Sequence, residues 1–330
     1  MKTKIFIKRP LLFALLFASV LLAGKLNSVA QESMRGDLVP EGYRVIEGDI
    51  LVRIQRSPKG TFPVSPVSYW TGGNIPYQFA SEVSVANRAN MVAAMAEWEA
   101  VANVHFLERN GESDYVIIQN GNGNWSGLGR QGGVQYISIA SWGTRFTIVH
   151  ELGHTLGYHH EHTRADRDSY IQVNNANIQP DYQSQFTLNT EAYYYGPYDF
   201  DSLMHYDQCG FSIDCDPGFT CGCTHHVITV LPPNDTQWQS RIGQRTHLSH
   251  WDAAIMSFLY PQSNWRFVDQ YSIGAEIGTF LSPYHSFATG KTNVPSGGTV
   301  VILQPGNYPA AGTHAKPMTI RASLGVVVLR

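Results

Sequence analysis

Eleven consecutive residues constrain this chain more than any other feature. They are His150-Glu151-Leu152-Gly153-His154-Thr155-Leu156-Gly157-Tyr158-His159-His160, in which H-E-x-x-H continues as x-x-G-x-x-H. The apolar stretch from Phe146 to Leu156 predicts a helix, and Gly157, free to take a positive φ, predicts its end. Residues four apart share one helix face, so His150 and His154 point the same way. The turn at Gly157 then lets His160 return toward them, which assembles three imidazoles for a tetrahedral metal with Glu151 beside them to handle a proton. H-E-x-x-H alone would also suit an amphipathic helix with part-exposed histidines, whereas five fixed positions in eleven point to zinc. His159 and His162 flank the third ligand, and the spacing selects His160 over both; they are expected to be structural or to support the ligands.

The remaining chain sets size and compartment. At 330 residues it exceeds one ordinary hydrophobic core, which predicts two folded units with shorter appended segments. With 43% hydrophobic and 15% charged residues, disorder is excluded. Lys2, Lys4, Lys8 and Arg9 precede the apolar run Leu11 to Ala23, and Ser28-Val29-Ala30 then offers the small residues a signal peptidase reads. Residues 1–30 therefore read as an export signal, since a spanning helix needs about 20 apolar residues. Lys25, not cysteine, follows Leu22-Ala23-Gly24, so neither a lipid anchor nor a membrane anchor is expected. Losing this segment removes five positive charges and moves the net charge from −3 to −8, with 18 basic residues against 26 acidic ones. No Lys/Arg block is left to track phosphates, which argues against nucleic acid as a partner. The expected location is secreted, either extracellular or periplasmic.

Residues 31–66 form a short turn-rich segment. Between 67 and 261 the pattern is that of a mixed α+β domain. Val85, Ala89, Val92, Met95 and Ala96 recur at helical spacing, Tyr115 to Ile118 and Val134 to Ile139 read as strands, and Ser249 to Leu259 reads as a helix. Residues 262–330 predict a small β-rich unit of their own, with strands at Thr299 to Gln304, Met318 to Ala322 and Val326 to Leu329. Their spacing resembles the opening coils of a right-handed parallel β-helix. Tyr271, Phe280, Tyr284 and Phe287 offer a sugar-stacking face, although aromatics in so small a unit are expected in its core.

Several motifs taken together resemble the astacin family of metzincin zinc peptidases. The zinc motif continues as His160-Glu161-His162-Thr163-Arg164-Ala165-Asp166-Arg167-Asp168, similar to that family's H-E-x-x-R-x-D-R-D. Ser202-Leu203-Met204-His205-Tyr206 is similar to its Met-turn, and Trp70 to Tyr77 to the start of its mature domain. Gly129 to Gln135 and Leu248-Ser249 to Leu259-Tyr260 also fit, so the likeness spans residues 67–261. It implies a metzincin fold with a twisted mixed sheet and an active-site helix, one zinc held by His150, His154 and His160, Tyr206 as a movable further ligand, and Met204 beneath the metal. His205, inside the Met-turn, is expected to pack or hydrogen-bond. Three neutral imidazoles would leave zinc its charge and an open position, with Glu151 as general base and the Tyr206 hydroxyl stabilising the developing oxyanion. The expected function is endopeptidase action on protein or peptide substrates lying extended near Trp125 to Leu128. A zinc-containing binding or adhesion protein is the alternative from another class, and intact Glu151 and Tyr206 weigh against it. Hydrolysis of non-peptide amides would use the same residues.

Ile46-Glu47-Gly48-Asp49-Ile50 is similar to the F-x-G-D-I signature of that family's propeptides, which implies a latent precursor of bacterial type in which Asp49 coordinates zinc. Cutting between about Arg53 and Pro66 by an activating protease would release it, and the new N-terminal ammonium would pair with Glu161. The family's two disulfides have no counterpart here, because Asn103, Asn124 and Gln262 stand at the matching places. Cys209, Cys215, Cys221 and Cys223 predict local disulfides in one of three connectivities, a second zinc site with His225 and His226 being the rival. The C-terminal unit is open to surface or carbohydrate contact.

Overall fold

The computed structural model describes residues 39–40, 42–54, 67–190, 192, 194–215, 221–310, 315–322 and 326–330. The export signal lies outside these, as do residues 55–66, which take in most of the stretch where the activating cut is expected.

The core is a seven-stranded mixed sheet with two long helices packed on it. Its strands are β1 (Tyr43–Ile46), β2 (Ile50–Arg53), β3 (Asn74–Phe79), β4 (His105–Glu108), β5 (Tyr115–Asn120), β6 (Trp125–Gly127) and β7 (Val134–Ile139), in the order β1-β2-β6-β7-β5-β3-β4. Strands β7, β5, β3 and the edge strand β4 are parallel, while β6 runs antiparallel to β7. Alternation explains the packing: Val116 and Ile118 of β5 and Ile137 and Ile139 of β7 are buried with the helices. The segment before residue 67 is built into this sheet, because the hairpin β1–β2 extends it at the β6 edge.

Helix α1 (Val85–Glu99) begins at Ser84, whose hydroxyl accepts from the Asn87 N–H. The stripe read from the sequence is not its buried face. Met91, Ala94, Met95 and Trp98 are buried, whereas Val85, Ala89, Val92 and Ala96 face solvent. Trp98 decides the rotation: its indole N–H donates to the Val149 carbonyl at 2.9 Å and locks α1 onto α2 (Arg145–Leu156). Truncating so large a buried ring costs about 3–5 kcal/mol. Helix α2 ends at Gly157, in the left-handed region at φ 112°, where the Tyr158 N–H closes on the Gly153 carbonyl at 3.0 Å. Where the family's disulfides are missing, hydrogen bonds join the same stretches. Asn103 donates from its backbone N–H to Tyr260 and from Nδ2 to the Pro261 carbonyl, and Asn124 Oδ1 accepts from the Ala140 and Ser141 N–H groups.

A second cluster, around Ile171, Phe186, Tyr198, Phe211 and Ile228, fills the lower part of the domain beneath a short antiparallel pair, β8 (Ile171–Val173) and β9 (Ile228–Val230). The four cysteines pair as Cys209–Cys223 and Cys215–Cys221, which consumes every thiol of the proposed second zinc site. Helix α3 (His250–Leu259) starts with a capping box between Ser249 and Asp252.

The C-terminal residues form parallel coils. Strand β10 (Trp265–Val268) pairs with β11 (Thr299–Ile302) and β11 with β13 (Thr319–Arg321), while β12 (Gly306–Tyr308) pairs with β14 (Val327–Leu329), all in parallel. A short helix, α4 (Phe287–Asn293), caps one side. Phe280, Tyr284 and Phe287 are core residues, and Tyr271 is exposed. Phe258 of α3 packs with Phe267, Phe280, Val301 and Leu303, which joins this unit to the helix before it.

Candidate metal centre and cleft

The helix spacing delivers His150 and His154 to one face, and the Gly157 turn brings His160 against them; all three are buried. Each Nδ1 is engaged behind the ring. His150 Nδ1 donates to the Leu203 carbonyl at 2.9 Å, His154 Nδ1 to the Tyr158 carbonyl at 2.7 Å, and His160 Nδ1 faces Glu47 Oε2 at 3.3 Å. The Nε2 atoms are thereby turned inward, at 3.2 Å between His150 and His154 and 3.3 Å between His150 and His160. Asp49 completes the cluster, 3.4 Å from His150, 3.5 Å from His154 and 3.2 Å from His160. A tetrahedral ion bonded at about 2.0–2.1 Å holds its donors roughly 3.3–3.4 Å apart, so these four groups have the spacing of zinc ligands. Asp49 Oδ1, buried with no hydrogen-bond donor among the described residues, is what a ligand oxygen facing a metal position looks like.

Burial pushes His150 and His154 below the ordinary imidazole pKa, which favours the neutral form a metal requires. Burial acts the same way on His160, but the facing Asp49 and Glu47 carboxylates outweigh it and raise its pKa to about 9 in the metal-free site. Burial works against ionised Asp49, but the neighbouring His160 charge and the imidazole hydrogen bonds hold its carboxyl well below the usual range.

Met204 lies under the zinc helix at Gly153. A Cβ there would come within 2.8 Å of the methionine sulfur, so Gly153, at a position the motif leaves open, lets the side chain approach the helix closely. The Met-turn is tied down by Asp252 of α3. Its Oδ1 accepts from Ser202 Oγ at 2.7 Å, and its Oδ2 from the Leu203 N–H at 2.8 Å and the Ser249 N–H at 3.0 Å. Tyr206 is buried beside His160 and stacks on His162, ring centres 4.0 Å apart, and its hydroxyl donates to the Glu47 carbonyl at 2.5 Å. His205 donates to the Tyr206 carbonyl and accepts from the Tyr198 hydroxyl. Glu151 is buried next to His150. Glu161 accepts from Arg164 and from the Asp199 N–H; burial raises its pKa to about 8, although Arg164 opposes this.

Residues 49–51 run along the β6 edge beside the imidazole cluster. Strand β2 runs parallel to β6, the Ser126 N–H donates to the Asp49 carbonyl at 2.9 Å, and the Leu128 N–H donates to the Leu51 carbonyl at 3.2 Å. Gly48 passes so close to the Tyr206 hydroxyl that any side chain there would overlap it.

Sequence reasoning did not find Glu47, Gln185, Asn189, Arg245 or Asp252. The Glu47 carboxylate sits on His159 and Asn189, and the Gly48 N–H donates to Gln185 Oε1 at 2.6 Å. Arg245 donates to the His205 carbonyl with the charges of Asp49, Asp207 and Glu151 facing it; desolvation lowers its pKa and those carboxylates oppose the shift. Only the capping pattern S-x-x-D at Ser249–Asp252 carried a readable signal.

A family model described as Astacin, a peptidase family, matches residues 64–261. The chain is 33% identical over 223 residues to High choriolytic enzyme 1 of Oryzias latipes, spanning 66% of this chain and 77% of that protein. It is 39% identical over 198 residues to Tolloid-like protein 1 of Homo sapiens, covering 58% of this chain and 19% of that one. The solved structure of High choriolytic enzyme 1, described as a hatching enzyme zinc-protease from medaka, aligns with a TM-score of 0.52 and 34% identity over 59% of this chain and 94% of that chain. With three imidazoles and a carboxylate at zinc-ligand spacing on an α+β frame of this kind, the chain belongs to the astacin family of zinc metalloendopeptidases.

Proposed function

We propose that this zinc endopeptidase is exported as a latent precursor, with residues 1–30 as signal, 31–66 as propeptide, 67–261 as the catalytic domain and 262–330 as an appended unit. The observation that carries the reading is the placement of Asp49 among the three imidazoles while its own strand occupies the β6 edge. One segment thus takes both the position of the catalytic water and the groove of the substrate. In the precursor His150, His154, His160 and Asp49 would hold zinc; after the segment is cut away, the three imidazoles with Tyr206 would hold it. Glu161 then pairs with the new N-terminal ammonium. Among the described residues no helix is long and apolar enough to cross a membrane.

When bound, zinc supplies a Lewis acid that acidifies water and polarises the scissile carbonyl. A peptide substrate pairs with β6 in the place of β2 and so lies extended past His160. Glu151 takes the proton from the attacking water and passes it to the leaving amine. Tyr206 donates to the carbonyl oxygen as charge builds there, and its present contact with the Glu47 carbonyl supports that reach. Leu203 and Tyr158 keep His150 and His154 in the tautomer that leaves Nε2 for the metal. The exposed Tyr271 is the residue of the C-terminal unit open to carbohydrate or surface contact.

Casein hydrolysis by the trimmed protein, beside Glu151→Gln at equal zinc content, tests this reading. Activity that disappears in the variant supports Glu151 as base, and an uncut precursor as active as the trimmed form would refute latency.

A further inference from the structure

The carboxylate of Glu47 occupies a site that uses no metal. Only 8% of this residue is exposed. Its Oε1 accepts from His159 Nδ1 at 2.8 Å and from Asn189 Nδ2 at 3.1 Å, and its Oε2 accepts from the His160 N–H at 3.1 Å and faces His160 Nδ1 at 3.3 Å. The donors are arranged independently of their guest. The His160 N–H is fixed by the turn after α2, and Asn189 is oriented by accepting from the Ala192 N–H while its own N–H donates to the Thr163 carbonyl. The slot presents N–H groups, so it fits an acceptor-only group; an amide in its place would set N–H against N–H. Glu47 also has φ 51°, a left-handed conformation that a residue with a Cβ holds only when its contacts over-determine it.

We propose that His159 Nδ1, the His160 N–H and the Asn189 amide form a carboxylate-binding site in its own right, filled by Glu47, which holds residues 43–53 on the catalytic sheet whether or not zinc is present. The inference rests on reading this stretch as the inhibitory segment, and it assigns the docking to two points. Asp49 faces the metal position, whereas Glu47 is held away from it. Chelation alone would then leave the segment seated.

Hydrogen exchange of residues 43–53 in the full chain, with zinc loaded and with zinc removed by a chelator, tests this. In the metal-free protein, Glu47→Gln and Asn189→Ala are each expected to speed exchange about tenfold or more, and by more than Asp49→Asn does. Unchanged exchange in α2 controls for misfolding, and Asn189→Ala approaches the contact from the other side. Wild-type exchange in metal-free Glu47→Gln would overturn the proposal, as would a chelated wild type as unprotected as that variant. Casein hydrolysis by the uncut, zinc-loaded precursor separates the two ideas: full activity refutes inhibition, while the exchange rates still decide the slot.

Discussion

Replacing Asp252 with alanine should damage the metal centre from α3, without touching a ligand. The carboxylate is buried and takes three donors, Ser202 Oγ, the Leu203 N–H and the Ser249 N–H. Leaving a buried donor unpaired costs about 1–3 kcal/mol, so three give roughly 3–9 kcal/mol. Burial also raises the Asp252 pKa, so removing the carboxylate recovers some desolvation cost and points to the low end, about 3 kcal/mol. That is a large part of an ordinary domain's stability of about 5–15 kcal/mol. The same change frees Leu203, whose carbonyl orients His150, and loss of such a partner weakens metal binding by about 10–100-fold. Urea unfolding and a competitive zinc titration measure the two effects, with Asp252→Asn intermediate because it keeps one acceptor oxygen. A loss below about 1 kcal/mol, within the range of an ordinary surface change, or an unchanged zinc affinity would refute the coupling of α3 to the site through the Met-turn.

Three further outcomes are expected. Gly48→Ala should raise casein hydrolysis by the uncut precursor, because φ at that residue is 89° and a Cβ would overlap the Tyr206 hydroxyl; continued silence would count against the close fit. Burial raises Asp199 to about 6, opposed by the Ser249 hydroxyl. Its folded pKa lies above the unfolded one, so its contribution is complete below the unfolded value of about 4 and is lost as pH rises through about 6. The Tm of Asp199→Asn should therefore gain on the wild type across that window, and a constant difference would rule this out. Replacing Cys209 and Cys223 together by serine removes a cross-link between residues 14 apart and should cost about 3 kcal/mol in urea unfolding; no loss would show that the loop needs no clamp.

The site was legible where chemistry depends on local spacing. Two histidines four apart and a glycine before a third require no tertiary knowledge, and Gly157 ends the helix where its freedom at φ says it should. The Asp49 motif was legible through its likeness to propeptides, but its strand's place in the sheet was not, because pairing of Ile50 with Ser126 joins residues 76 apart. Glu47 and Asn189 meet across 142 residues and carry no motif. The face of α1 was misread for the same reason. Val85 and Val92 are apolar at correct spacing, yet the large Trp98 finds its partner on α2 and sets the rotation. In the C-terminal unit β11, β13 and β14 were readable from β-branched runs, whereas β10 and the Gly306–Tyr308 strand, with its Pro305-Gly306 turn signal, were not, and α4, with Gly290 and Lys291 in its seven residues, offered little periodicity.

Strand β2 and strand β6 belong to one chain, with residues 55–66 joining the segment to the domain it covers. A tether of this length keeps the local concentration of the occupant in about the millimolar range, so even a weak contact holds the cleft filled. One cut in the join turns a first-order equilibrium into a second-order one, and the concentration that matters becomes that of the enzyme in solution. On the latent-precursor reading, the segment can thus be a poor ligand as a free peptide and a block while attached, and dilution after the cut would finish what the cut began.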